Sequence, residues 1–255
     1  MTITNIPVGK KVYFSSDNHL GAPTMAKSRP REKKFVAWLD MAKQDAAAIF
    51  LLGDLFDFWF EYKTVVPKGF TRTLGKLAEI TDAGIPVYYF VGNHDLWMSG
   101  YFEEELNIPV FHKPQQFTFN STSFFVGHGD GLGPGDKGYK RMKKVFTNPV
   151  SKWLYKWLHP DLGVRLAQYL SLKNKLISGD EDIKFLGEDK EWLVQYCKRK
   201  LEKEHHDYFV FGHRHLPLEI DLNDKARYVN LGDWISYYTY GEFDGKKLVL
   251  KKFEI

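Results

Sequence analysis

The sequence predicts an α/β fold in which helices cover a mostly parallel β-sheet. In the first half of the chain, apolar runs of strand length alternate with amphipathic helical segments. Such alternation requires crossover connections, which place consecutive strands parallel to one another. We expect strands at residues 11–17, 46–54 and 87–92, and helices at residues 31–44 and 71–83. The 255 residues, 44% of them hydrophobic, suffice for one domain with a substantial core.

The second half of the chain adds further strands and a long helical block. A hairpin that turns near Asn120 and Ser121 is expected from residues 117–119 and 123–127. More strands are expected at residues 209–212, 218–221, 227–230 and 247–253. Between these two sets lies a helical block of about residues 136–206, which Pro149 and Pro160 interrupt. We interpret this block as a helical lid inserted into a single domain that spans residues 1–255.

The formal net charge of +4 is distributed unevenly. Residues 137–175 contain ten Lys and Arg side chains and one acid, Asp161, so this segment carries +9 and the rest of the chain carries −5. A block this basic suits a surface that faces phosphates, nucleic acid or anionic lipid. The alternative is an ordinary solvated helix face.

The single cysteine and the lack of long apolar runs limit the class of protein. Cys197 is the single cysteine of the sequence, so no internal disulfide can form, which fits a reducing compartment. It lies in a helical pattern, so we expect a core or half-buried thiol without a catalytic role. No run reaches the roughly 18 apolar residues that span a bilayer, and the N-terminus lacks a secretory signal pattern. We expect a soluble protein that can still lie on a membrane surface.

Five short polar segments each follow an apolar run of strand length. They contain five of the nine histidines. In open α/β sheets, ligands bind beyond the carboxyl ends of the strands, so these segments are expected to converge. Carboxylates, imidazoles and an Asn carbonyl together suit divalent metal ions. The segments are Asp17-Asn18-His19, Gly53-Asp54, Gly92-Asn93-His94-Asp95, Gly127-His128-Gly129-Asp130 and Gly212-His213-Arg214-His215.

The spacing within these segments suggests how two ions are held. Asp17 and His19 are two residues apart and would point the same way on an extended strand, and so would His213 and His215. The two pairs could then grip one ion. A second site would consist of Asn93, His128 and a shared Asp54. Any one of these motifs alone is weak, because a lone strand-end histidine is usually structural and Gly-Asp pairs are common.

The order D-x-H, G-D, G-N-H-D, G-H and G-H-x-H resembles the calcineurin-like metallophosphoesterases. The resemblance covers the chain outside the helical block and implies a four-layer α/β/β/α sandwich. It places Asp17, His19, Asp54 and His215 at a first metal ion, and Asp54, Asn93, His128 and His213 at a second. It gives His94 the family role of contacting phosphate and protonating the leaving group. Asp95 would either orient His94 or cap its turn.

The start of the helical block resembles the UDP-2,3-diacylglucosamine hydrolases of lipid A synthesis. In that family, H-G-D leads into D-x-x-Y-x-x-x-R, which here corresponds to Asp136, Tyr139 and Lys143. The segment from Gly53 to Trp59 also resembles the family's G-D-L-F-E-x-W. The resemblance implies hydrolysis of a pyrophosphate to release UMP and a diacylated sugar 1-phosphate. Two departures are His94, where the family carries Arg, and Lys143, which cannot form a bidentate fork on phosphate.

The helical block also suits an amphipathic substrate. Trp153, Leu154, Trp157 and Leu158 form one apolar face at helical spacing, and basic residues precede them. This combination favours acyl chains on a phosphorylated head and docking on an anionic membrane surface. The family resemblance implies the cytoplasmic face of an inner membrane. The alternative is that Trp153 and Trp157 pack the block against the body of the domain. The implied substrate is a lipid-linked nucleotide sugar, with Asn93, His94, Asp136, Tyr139, Lys143, Trp153 and Trp157 in contact with it.

Three rival functions predict different behaviour. A phosphoesterase for a soluble nucleotide, phosphodiester or phosphoprotein would need neither detergent nor the tryptophans. A nucleic-acid enzyme or binder would use the basic block and show steeply salt-dependent binding, and we consider this the weaker reading. A non-catalytic scaffold that keeps the fold would usually have lost one of the metal-ligating residues, and the complete set here argues against it. The expected cofactor is a pair of Mn²⁺ ions, although the same ligands accept Fe²⁺, Zn²⁺ or Mg²⁺.

Overall fold

Two six-stranded sheets form the centre of the fold. The computed structural model describes residues 2–3, 5–133, 137–167, 169, 184–185 and 187–254. The strands are β1 (Thr2–Ile3), β2 (Lys11–Ser15), β3 (Ala46–Leu51), β4 (Val87–Phe90), β5 (Val110–Phe111), β6 (Gln115–Phe119), β7 (Thr122–Val126), β8 (Tyr208–Phe211), β9 (Pro217–Asn223), β10 (Ala226–Leu231), β11 (Thr239–Phe243) and β12 (Leu248–Lys252). The first sheet has the order β12-β11-β2-β3-β4-β5, and the second has the order β1-β6-β7-β8-β10-β9.

Parallel pairing dominates the part of each sheet that leads to the site. In the first sheet, β2, β3, β4 and β5 pair in parallel, while β11 runs antiparallel to both β2 and β12. In the second sheet, β8 is parallel to both β7 and β10. Parallel neighbours end at the same edge of a sheet, so the loops that follow them lie side by side.

Three apolar cores hold the layers together. Between the two sheets, Phe14 of β2 stacks on Phe124 of β7 at a centroid distance of 5.8 Å, and Phe50 of β3 meets Phe117 of β6 at 4.8 Å. The outer face of the first sheet is covered by α1 (Met25–Lys43), α2 (Thr71–Asp82) and α3 (Tyr101–Leu106). The outer face of the second sheet is covered by α6 (Trp192–Leu201), which buries Cys197 as expected. The four-layer α/β/β/α arrangement is therefore confirmed.

The described part of the helical block contains several separate helices. These are α4 (Lys137–Thr147), α5 (Pro149–Lys156), helical residues 160–167 and a 3-10 turn at Glu188–Lys190, followed by α6. Asn148 caps α5 by accepting a hydrogen bond from the Val150 amide at 2.8 Å, and Pro149 occupies its first turn. The lid role and the insertion boundaries of the block stay predictions.

The sequence missed or shortened some elements. Helix α1 begins at Met25 instead of residue 31, because Thr24 caps it and Pro30 is accommodated within its early turns. Strand β11 was not predicted, since all five of its residues are buried and its sequence lacks polar alternation. Short α3 and β5 were also missed. Among the residues that the structure describes, no helix combines the length and apolar character needed to cross a bilayer.

Candidate metal centre

The five polar loops meet where the two sheets end at the same side of the molecule. Loops after β2, β3 and β4 of the first sheet bring Asp17, Asp54 and Asn93. Loops after β7 and β8 of the second sheet bring His128 and His213, with His215 two residues further on. Each sheet thus contributes about half of the side chains, and the core between the sheets fixes the distance that separates them.

One group of side chains surrounds the position expected for a first ion. The His19 Nε2 atom lies 3.1 Å from the His215 Nε2 atom and 3.8 Å from an Asp17 carboxylate oxygen. That same Asp17 oxygen lies 3.3 Å from the His215 Nε2 atom. Three potential ligand atoms within this range of one another form a group that could hold a metal ion.

A second group lies beside the first, and Asp54 joins the two. The Asn93 carbonyl oxygen lies 2.9 Å from the His213 Nδ1 atom and 3.1 Å from the His128 Nε2 atom. The Asp54 Oδ2 atom is 3.5 Å from His128 Nε2 and 3.6 Å from His19 Nε2. The seven predicted ligands are therefore brought together, with Asp54 in the shared position.

The backbone at the ligands is left-handed and not extended. The φ angles are 55° at Asp17, 44° at His19, 52° at Asp54, 68° at His213 and 52° at His215. Residues with a side chain avoid this region, at a cost of about 1–2 kcal/mol each. The extended backbone expected for the D-x-H and H-x-H pairs is therefore wrong, although Asp17 and His19 do share one group, as expected. His213 and His215 diverge into different groups.

Two glycines allow the close approach of these loops. A Cβ atom at Gly92 would lie 2.2 Å from the Asp54 Oδ1 atom and 2.7 Å from the Asp54 amide nitrogen. A Cβ atom at Gly212 would lie 2.3 Å from the Asp17 Oδ2 atom. The glycines beside the ligands therefore let neighbouring loops pack closely, in addition to letting the backbone turn sharply.

The residues fit divalent cations on the evidence of burial and unmet hydrogen bonding. Asp17, His19, Asp54 and His128 are all buried, and the Asp17 Oδ1 atom lacks a hydrogen-bond partner among the described residues. Buried carboxylates are stable only beside positive charge or a metal. The donors are carboxylate oxygen, imidazole nitrogen and an amide carbonyl, a set that suits hard and borderline divalent ions.

The electrostatics of the site lead to the same conclusion. Burial by itself raises the pKa of Asp17, but the imidazoles of His215 and His19 outweigh it and lower that pKa to about 2. Burial lowers the pKa of His128, yet the nearby Asp54 carboxylate raises that pKa to about 10. The carboxylates therefore require positive charge beside them, which protonated imidazoles or divalent cations supply.

His94 lies at the rim of this centre, and its carboxylate neighbour is Asp57. The His94 ring packs edge-on against the His19 ring at 4.6 Å. Its Nδ1 atom lies 3.0 Å from the Asp57 carbonyl oxygen and 3.6 Å from an Asp57 carboxylate oxygen. The same carboxylate is 3.4 Å from the His19 Nδ1 atom. Asp57 thus touches both a predicted metal ligand and the predicted acid.

The role expected for Asp95 as an orienting partner of His94 has to be corrected. The Asp95 carboxylate accepts hydrogen bonds from the Gly92 amide at 2.7 Å, from the Leu55 amide at 3.1 Å and from the Tyr89 hydroxyl. Burial and the charge of Asp54 raise the pKa of Asp95 to about 7. Because its oxygens face the backbone of two site loops, Asp95 follows the turn-capping alternative.

The sequence reasoning missed Asp233 as well as Asp57. The Asp233 Oδ2 atom lies 3.4 Å from His215 Nδ1, and its Oδ1 atom accepts from the amides of residues 235–237. Outer partners of this kind fix the orientation of ligating imidazoles. The signal was available, because Gly232-Asp233 follows β10 as Gly53-Asp54 follows β3.

The predicted substrate residues of the helical block have different environments. The Tyr139 hydroxyl and the Lys143 ammonium both contact the Asp130 carboxylate, two residues after His128. The side chains of Trp153 and Trp157 are exposed, at 57% and 75%, and contact each other. This exposure disagrees with the alternative that both rings pack onto the body of the domain. Asp136 lies outside the described residues. Substrate contact by these side chains stays a prediction.

We predict that Gly92→Ala weakens metal binding without unfolding the protein. The added methyl group would displace Asp54, the side chain shared by both groups. Bound Mn²⁺ after dialysis, measured by inductively coupled plasma mass spectrometry, should fall at least tenfold. Gly75→Ala is the matched control, since a Cβ atom there meets nothing within 4 Å. Wild-type metal content in Gly92→Ala would contradict the geometry described for Asp54.

Comparisons with known proteins agree with this geometry. The family model described as calcineurin-like phosphoesterase matches residues 10–217. The chain is 38% identical over 258 residues to the UDP-2,3-diacylglucosamine hydrolase of Porphyromonas gingivalis, with 96% of this chain and 98% of that protein covered. It is 25% identical over 224 residues to the protein of the same name from Shewanella sp. strain W3-18-1, with 88% and 89% covered. The chain belongs to the calcineurin-like phosphoesterase family.

Proposed function

We propose that this protein hydrolyses the pyrophosphate bond of UDP-2,3-diacylglucosamine, which yields UMP and 2,3-diacylglucosamine 1-phosphate for lipid A synthesis. The observation that carries the proposal is the 38% identity to the Porphyromonas gingivalis hydrolase across nearly the whole of both chains. The paired ligand groups support it, because two-ion sites are suited to displacement at phosphorus.

The ligand groups define how the chain would hold its cofactor. Asp17, His19 and His215 would hold one divalent cation, and Asn93, His128 and His213 a second, with Asp54 between them. When bound, the cations supply Lewis-acid polarisation of the phosphoryl group and a nucleophile from water at neutral pH. We propose Mn²⁺ as the physiological ion, since the mixed oxygen and imidazole donors suit it, although they also accept Fe²⁺, Zn²⁺ and Mg²⁺.

His94 is the residue proposed to act on the leaving group. A carbonyl oxygen only accepts, so the hydrogen bond to the Asp57 carbonyl requires that the His94 Nδ1 atom carries a proton. The Nε2 atom is then the nitrogen that exchanges a proton with the departing oxygen. The Asp57 carboxylate, 3.6 Å from Nδ1, stabilises positive charge on the ring. Asn93, which precedes His94, and the pair of Tyr139 and Lys143 beside Asp130 are proposed to bind the phosphoryl groups.

The exposed part of the helical block is proposed to receive the lipid. Helix α4 carries Lys140, Arg141 and Lys144, and α5, which contacts α4, carries the exposed ring of Trp153 and is followed directly by the exposed Trp157. An apolar surface with neighbouring cations binds acyl chains and anionic membrane surfaces. We therefore propose a cytoplasmic protein that contacts the inner membrane peripherally. Nucleic acid is not a proposed partner.

We predict that the purified protein releases UMP from UDP-2,3-diacylglucosamine in detergent micelles with Mn²⁺ present. His19→Ala and Asp54→Ala should each lower this rate at least a hundredfold, because each removes a buried ligand of the metal centre. Asp224→Ala, in the exposed turn between β9 and β10, should keep the wild-type rate. If the protein releases no UMP but cleaves a simple phosphodiester rapidly, the lipid substrate is rejected and a soluble substrate is favoured.

His94→Ala should separate catalysis from metal binding. General-acid groups contribute about 10²–10⁴-fold to rates, so kcat for UMP release should fall by that order. Bound Mn²⁺ should change by less than about twofold, since the amide of residue 94, which binds the Asp54 carboxylate, is kept. His159→Ala, with an exposed imidazole, is the control. Equal loss of metal and activity would show that His94 is a ligand and not the acid.

Membrane contact is tested by co-sedimentation with vesicles that contain anionic phospholipid. The double variant Trp153→Ala and Trp157→Ala should bind these vesicles at least fivefold more weakly than the wild type, because both rings are exposed. Val249→Ala, which removes an exposed apolar side chain from β12, should not change binding. Unaltered binding of the double variant would place the membrane contact elsewhere on the protein.

A further inference from the structure

Arg214 lies between the two ligands His213 and His215 and forms a partly buried ion pair with Glu191. Its Nε atom donates to Glu191 Oε2 at 2.8 Å, and an Nη2 hydrogen is donated to Glu191 Oε1 at 2.7 Å. The Glu191 side chain is only 2% exposed. Two parallel bonds of this type fix both the position and the plane of a guanidinium group. The side chain between the two histidines is therefore held in one orientation.

Glu191 is itself anchored to the body of the domain. It immediately precedes α6, whose residues Leu193, Val194 and Cys197 pack against the second sheet. The start of α6 also abuts the loop after β7, because a Cβ atom at Gly129 would lie 3.0 Å from a Leu193 methyl carbon. A bond to Glu191 thus ties the loop of Arg214 to the helix that covers the second sheet.

The loop of Arg214 needs such an anchor. His213 and His215 both have left-handed backbones, with φ angles of 68° and 52°. Strained residues of this kind persist only where their surroundings over-determine them. On one side, the His213 amide donates to the Asp17 carboxylate at 2.9 Å. That bond ends on a predicted ligand, whereas the Glu191 bonds end on the scaffold.

We propose that Arg214 is a positioning residue that sets the metal affinity of both ion positions through its pairing with Glu191. His213 belongs to one ligand group and His215 to the other, so a rotation of this loop disturbs both groups together. Arg214 also donates to the carbonyl oxygen of Lys184 at 3.1 Å. Arg214 therefore links Lys184, in the C-terminal part of the helical block, to the loop that carries His213 and His215. The inference rests on the two-ion site of the proposed function.

The experiment is a double-mutant cycle on metal affinity. Arg214→Lys keeps the positive charge but cannot form the two parallel hydrogen bonds of a guanidinium group. Glu191→Gln keeps the size and shape of the side chain but removes its negative charge. Mn²⁺ dissociation constants are measured by isothermal titration calorimetry on protein whose folding is verified by circular dichroism. Arg227→Lys is the matched control, because Arg227 forms an ion pair with Asp221 at the opposite end of β10 from the site. The readout requires no substrate.

We expect each single variant to raise the Mn²⁺ dissociation constants 10–100-fold, as changes in the partners of metal ligands commonly do. The double variant should be no weaker than the singles, because both substitutions break one interaction. The control should bind like the wild type. Wild-type affinities in folded Arg214→Lys and Glu191→Gln would show that the pair serves stability alone and would overturn the inference.

Together with the UMP assay on the wild-type protein, these affinities separate the role of Arg214 from the choice of substrate. A wild-type protein that binds two Mn²⁺ ions without releasing UMP would reject the substrate, and the variants' affinities would still decide the role of Arg214. A wild-type protein that binds no Mn²⁺ would overturn the metal site and this inference with it.

Discussion

The burial of two carboxylates beside four imidazoles is the constraint on which the rest of the structure depends. Asp17 and Asp54 are almost completely shielded from water. Their charges can be kept there only by hydrogen bonds and by nearby positive charge. Asp54 uses one oxygen for the amide of His94 and holds the other between His19 and His128. Its carboxylate therefore cannot move without disturbing both ligand groups.

The two sheets bring these carboxylates and imidazoles together. The first sheet provides the carboxylates and the amide oxygen, and the second provides three of the histidines. Aromatic contacts across the layer between them, such as Phe14 with Phe124, keep the two sets of loops at a fixed separation. Left-handed residues then aim the side chains inward, and their strain is compensated by bonds that Asp95, Asp233 and Arg214 make behind the ligands.

Much of this arrangement could be predicted from the sequence, because polar motifs follow apolar strands in an order that a single strand-end crevice explains. The ligand set and its convergence at the ends of β2, β3, β4, β7 and β8 followed from that pattern. The division of His213 and His215 between two groups did not follow from spacing, since alternation along a strand ceases to apply when φ becomes positive. That division came from the family resemblance.

The residues that contact the ligands and their loops from outside the metal centre were harder to predict, for a physical reason. Asp95 directly follows His94 in the chain, whereas Asp57 precedes it by 37 residues, and only the path of the loops decides which carboxylate faces the His94 ring. Glu191 and Arg214 are 23 residues apart, and no local pattern indicates that they pair. Strand β11 was not predicted because full burial removes the polar alternation, and Gly241 and Glu242 interrupt the apolar run that a buried strand usually shows.

Anomalous X-ray diffraction from crystals of the Mn²⁺-loaded protein tests the two-ion centre most directly. We expect two anomalous peaks about 3.5–4 Å apart. One should lie among Asp17, His19 and His215, the other among Asn93, His128 and His213, and Asp54 should contact both. A single peak, or peaks bound by side chains outside these groups, would contradict this arrangement.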